Sequence, residues 1–123
     1  MTTIIFIGGV LALAFAIFHI FFWKVFGWTS GLASLNRVNR GLMHVLNLCI
    51  TFVLFYVAFL SLFNTEDLVS TRLGHTVLVG VSLFCILRAV EQIIFFGLKH
   101  TVSIVFFGLF LLGSAIFAIP VFF

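Results

Sequence analysis

Two sets of polar residues stand where the surrounding sequence is otherwise apolar. In SLFCILRAVEQIIFF, residues 82–96, Arg88, Glu91 and Gln92 interrupt a hydrophobic run, and in RVNRGLMHVLN, residues 37–47, Arg37, Arg40, His44 and Asn47 recur three or four apart. At 100° per residue each set falls on one face of a helix within about 100° of arc, with Phe95 and Lys99 joining the first and Asn36 and Thr51 the second. An ionised side chain in hydrocarbon costs at least about 2.5–3.5 kcal/mol, so these faces are expected to turn inward and find partners. Lys24, Arg37, Arg40, Arg88 and Lys99 share their end of the chain with a single carboxylate, Glu91. That excess predicts a cationic pocket built by His19, Arg40, His44, Asn47, Arg88, Glu91 and Gln92, with Arg37 and Lys99 as further anion-binding groups. Basic pockets of this kind hold anionic small molecules or lipid head groups.

Other chemistries use subsets of the same residues. Arg88 and Glu91, three apart, can pair along their own helix while Gln92 bonds to a neighbour, which makes a clamp that fixes helix register. His19, His44 and Glu91 are a usable metal-ligand set, although no two-ligand motif such as HExxH occurs on one helix. His19 and His44, on adjacent helices at comparable depth, could ligate a b-type haem axially. Glu91 beside histidine could relay protons or pass ions, but the far halves of the spans carry little besides Thr51, Tyr56, Ser61 and Ser82 to continue a path. Cys49 and Cys85 lie singly within apolar runs and suggest no disulfide framework.

The elements that must position these residues follow from the hydropathy. With 64% hydrophobic and 7% charged residues in 123, the chain reads as a single all-α integral membrane domain, 1–123. Its apolar runs, about 4–23, 42–63, 76–98 and 102–122, each approach the roughly 20 residues that cross about 30 Å of hydrocarbon as a helix. They are continuously apolar rather than alternating, which favours helices over a β-barrel. The first lacks a basic region before it and a small-residue cleavage pattern after it, so it reads as a retained span. Short connections predict an up-down-up-down four-helix bundle with consecutive spans side by side. Loops one and three carry the basic residues and are expected on the cytoplasmic side, with both termini and the acidic loop two opposite and Trp23 and Trp28 in an interfacial belt. Small residues such as Gly8, Ala12 and Ala16, and Ser114 and Ala118, mark packing seams. The 19 Phe suit faces that meet lipid or further copies, and a homo-oligomer is expected because one small bundle encloses little space. The partners expected are membrane lipids and a lipophilic or anionic small molecule, with no nucleic acid.

The stretch Arg37–Asn47 resembles the second-helix signature of the membrane-associated proteins of eicosanoid and glutathione metabolism, R-x-x-R-A-x-x-N-x-x-E. Arg37 and Arg40 match, Gly41 stands for the small residue, and His44 and Asn47 occupy the Asn and Glu positions. RAVEQIIF similarly matches the third-helix pattern R-x-x-[HY]-x-x-x-Y at Arg88, with Glu91 and Phe95 at the other two positions. The resemblance implies a homotrimer of four-helix subunits that binds glutathione between subunits near the cytoplasmic face and takes a lipophilic substrate from the membrane. Arg37, Arg40 and Arg88 would hold carboxylates, and Lys99 would serve for an arginine at the start of the fourth helix. With Asn47 in place of the acid and Phe95 in place of the tyrosine, the groups expected to hold the ligand's amine and to stabilise a thiolate are replaced.

Overall fold

The computed structural model describes residues 1–123. All of its regular elements are helical: α1 (Thr2–Ile20), α2 (Phe22–Val25), α3 (Trp28–Gly31), α4 (Arg37–Phe63), α5 (Thr65–Ser70), α6 (Arg72–Glu91), a π-helical continuation of α6 over Gln92–Phe96, and α7 (Thr101–Phe122). Four helices are long and apolar enough to cross a membrane: Thr2–Ile20, Arg37–Phe63, Arg72–Phe96 and Thr101–Phe122. The chain is therefore a multi-pass membrane protein.

Two of these helices begin about a turn before the apolar run that hydropathy marks, and side-chain caps are the cause. Asn36 Oδ1 accepts the Asn39 N–H at 2.8 Å, and Thr71 Oγ1 accepts the Gly74 N–H at 2.9 Å. Each satisfies a donor that the first turn of a helix otherwise leaves free. Arg37 and Arg40, and likewise Arg72, thereby become helical residues. At the other end of the first span the chain breaks at Phe21, and loop one folds as the two short helices α2 and α3.

Packing does not follow chain order throughout. α1 lies against α4, α6 lies against α7, and the two pairs meet where α1 contacts α7, whereas α4 and α6 barely touch. The contacts are antiparallel: a Cβ on Gly9 would meet Ser61 and Leu62 near one end of the α1–α4 pair, and His19 bonds to Asn47 near the other. Small residues permit this approach. Gly8, Ala12 and Ala16 are buried along α1, and a Cβ on Gly8 would come within 2.8 Å of Ile116 and Phe117 of α7.

The expected contact between consecutive spans thus fails for α4 and α6, and α5 is the reason. Its Leu68 turns inward and joins Ile5, Leu78, Ile116 and Phe117 in the buried core, at the end that carries the chain termini. α5 lies so close to the first turn of α6 that a Cβ on Gly74 would collide with the backbone of Asp67 and Leu68. Below this core Ser82 Oγ donates to the Ser114 carbonyl at 2.9 Å. Only 21 of the 123 residues are buried, so most large apolar side chains, Phe52, Phe63 and Leu73 among them, face outward to where lipid is the solvent.

Candidate functional site

At the end away from that core, the last turn of α1, loop one and the first turns of α4 surround a cleft of about 450 Å³. Arg40, His44, Asn47 and Thr51 line it from one face of α4, with Leu48 beside them; Trp23, Trp28 and Thr29 line it from loop one, and Ile20 from the end of α1. The periodicity that places four polar α4 residues on one face is the one visible in the sequence. Their opposite wall comes from the fold of loop one.

An aromatic column fixes that wall. The His19 ring stacks on Phe22, 4.2 Å between centroids and 19° between planes. Phe22 meets Trp28 edge-on at 5.9 Å, and Trp28 meets His44 edge-on at 5.3 Å. Edge-to-face pairs of this kind contribute about 0.5–1.5 kcal/mol each beyond area burial. His19 and His44 are thus connected through two intervening rings. No three His, Cys, Asp or Glu side chains come together to hold a metal ion, so His19, His44 and Glu91 do not form the ligand set their depths suggested.

Asn47 ties α1 to α4. Its Nδ2 donates to the His19 carbonyl at 2.9 Å, an oxygen near the end of α1, where the helix runs out of donors. Thr51 Oγ1 donates back to the Asn47 carbonyl at 2.6 Å. Asn47 Oδ1 is buried and has no hydrogen-bond partner. His19 Nδ1 lies 2.7 Å from the Phe15 carbonyl, which can only accept, so the proton of the neutral ring sits on Nδ1.

The α6 residues go elsewhere. Because α6 packs on α7, Arg88, Gln92 and Ser103 form a second cluster apart from the cleft. Gln92 is 6% exposed; its Nε2 donates to Ser103 Oγ at 2.9 Å, and Ser103 donates to the Gly97 carbonyl. Arg88 Nη2 donates to Gln92 Oε1 at 3.4 Å, and the guanidinium stands 4.5 Å from the centre of the Phe110 ring. Its partners are therefore an amide and a π face, rather than the Glu91 carboxylate three residues on. Gly97, at φ +70° and ψ −179°, makes the turn to α7 in a conformation confined to glycine.

Of the residues marked by sequence, Arg40, His44 and Asn47 share the cleft, and His19 braces it from behind. Arg88, Gln92 and the half-buried Glu91 lie on the other helix pair, while Arg37 and Lys99 are exposed and outside the cleft lining. Sequence reasoning did not mark Ser103 or Phe110, and it took Trp28 only as an interfacial anchor. A hairpin folded about Gly97–His100 sets Gln92 opposite Ser103 and Ser82 opposite Ser114, so pairing positions whose numbers sum to a near-constant would have found Ser103.

Comparison with protein-family models, with curated proteins and with solved structures finds no match.

Proposed function

We propose that this small membrane protein binds the anionic head group of an amphiphile in the cleft between α1, loop one and α4, on the cytoplasmic side of the bilayer. The carrying observation is the composition of that cleft: the Arg40 guanidinium, the His44 imidazole and the Asn47 amide on one wall, and two tryptophans on the other. Guanidinium is the preferred partner of phosphate and carboxylate, and tryptophan suits the boundary between hydrocarbon and water. Ile20 and Leu48, both exposed, line the same cleft and offer an apolar exit for an acyl chain toward the bilayer. The charge balance supports an anion. Glu66 and Asp67 sit on α5 at the opposite end, leaving Glu91 as the acidic residue at this end.

The test uses a reporter that the protein already contains, because both of its tryptophans line the cleft. Tryptophan emission of the detergent-solubilised protein should respond saturably to a short-chain acidic phospholipid and not to its phosphatidylcholine counterpart. Arg40→Ala should weaken the response about tenfold, the scale of a lost charge-assisted hydrogen bond. Equal responses to the two lipids, or an unchanged response in Arg40→Ala, would remove the reading. Glutathione, the anion implied by the family resemblance, belongs in the same titration; tighter binding than the lipid would move the assignment to a thiol ligand.

A further inference from the structure

Glu91 has no partner within its own chain. Arg88, three residues before it, is turned toward Gln92 and the Phe110 ring, and no hydrogen bond reaches the carboxylate. Both residues are half-buried. The only buried side-chain nitrogen or oxygen without a partner is Asn47 Oδ1, so the Glu91 oxygens and the unbonded guanidinium nitrogens of Arg88 are open to the outside of the chain. A guanidinium carries five N–H donors, and the bond to Gln92 at 3.4 Å occupies one of them. The position is costly: Glu91 lies about 8 Å inside the end of the Arg72–Phe96 span. Charged groups at membrane depth are found paired with one another.

Glu91 shares an outward seam of α6 with Gly80, Phe84 and Leu87. Spacings of four, three and four residues hold these side chains within about 60° of arc, opposite Leu78, Ser82 and Ala89, which are buried. Such spacing is that of a seam between two packed helices. Phe84 and Leu87 are exposed. Gly80 is exposed too, and a Cβ built on it meets nothing within 4 Å, so a further helix can approach closely there.

Independently of the head-group reading above, we infer that two copies of this chain associate through the outer face of α6, with Glu91 of each copy paired to the partner's Arg88. Copies inserted in the same orientation are related by a two-fold axis along the membrane normal, which sets residues of like number at the same depth. Arg88 and Glu91 then differ by only about 4.5 Å in depth, a step that an arginine side chain spans. The pair forms twice across the axis. A second copy is the fitting occupant because α6 offers one cation and one anion on adjacent turns, so the face is complementary to itself, whereas a partner bringing a single charge leaves the other unmatched.

Sedimentation equilibrium of the full chain in density-matched mild detergent reads the association directly. Wild-type protein should form dimers. Arg88→Glu and Glu91→Arg should each weaken association at least about tenfold, because each sets like charges against one another across the axis. An equimolar mixture of these two variants should recover the dimer, since one chain then carries two anions and the other two cations. Recovery in the mixture cannot come from pairing within a chain. Gly80→Leu should also weaken association at least about tenfold by holding the helices apart, and the open space around that Cβ leaves the single chain undisturbed. A wild-type monomer at every concentration, an assembly of another size, or a mixture no more associated than its components overturns the inference. If the charge variants fail to fold by circular dichroism, Gly80→Leu decides alone: a dimer as tight as wild type overturns the inference, and dissociation supports it.

Discussion

The two ends of the bundle are built on opposite terms. At the α5 end, Ile5, Leu68, Leu78, Ile116 and Phe117 are buried together and four elements converge on one apolar core. At the loop-one end, α1 and α4 part around a cleft, a polar side chain crosses between them, and an acceptor is left without a partner. Close packing leaves no room for a ligand, and an open polar cleft contributes little to holding helices together. Under the proposed function the protein separates these duties between its two ends, so substitutions at one end should register in stability and those at the other in binding.

The strongest way to break that separation is Leu78→Ala, since Leu78 is only 1% exposed and touches the shared core. A cost of about 2–5 kcal/mol is expected in denaturant unfolding from mixed micelles, with lipid affinity per folded molecule unchanged. A change in affinity would show that the two ends communicate. Next comes Gln92→Leu, which removes the bridge from Arg88 to Ser103 and leaves Arg88 with only the Phe110 ring and Ser103 with only the Gly97 carbonyl. About 1–3 kcal/mol should be lost, again without effect on the tryptophan titration, because the α6–α7 cluster is apart from the cleft; an effect on binding would place Gln92 in the site. Ser82→Ala should cost less, about 0.6 kcal/mol, the average worth of an interhelical hydrogen bond in a membrane protein. A much larger loss would mean that polar contacts, and not the apolar core, govern the packed end. Arg40→Ala completes the contrast: as an exposed residue it should leave unfolding within about 0.5 kcal/mol of wild type while weakening binding.

The spans were legible because hydropathy and length report directly on a helix that must satisfy its own backbone in lipid. Their N-terminal ends were less so, since Asn36 and Thr71 cap helices through residues that hydropathy counts as loop. Helix partners were hidden by a different cause. Glu66 and Asp67 make residues 64–71 look like a solvent loop, which conceals that Leu68 between them and α6 is a core residue separating α4 from α6. Arg40, His44 and Asn47 share a face by periodicity alone, and the structure keeps them together. Joining them to Arg88, Glu91 and Gln92 required α4 and α6 to be neighbours, a long-range contact that no local pattern encodes. Phe95 shows a subtler effect: it shares a face with Arg88 at α-helical periodicity, but the π-helical segment alters the angular spacing there, and Phe95 is 73% exposed.

α1 and α4 also differ in length, at 19 and 27 residues, or about 28 and 40 Å. Hydrocarbon about 30 Å thick covers the first almost fully and leaves the capped start of the second standing above it. The cleft lies on the step between them, so under the proposed function, with that step level with the head groups, an occupant would arrive sideways by diffusion within the leaflet without leaving the bilayer. Its occupancy would then be set by the mole fraction of that lipid in the leaflet, with no dependence on protein concentration. Diluting the membrane with inert lipid should empty the site, whereas diluting the vesicles in buffer should not.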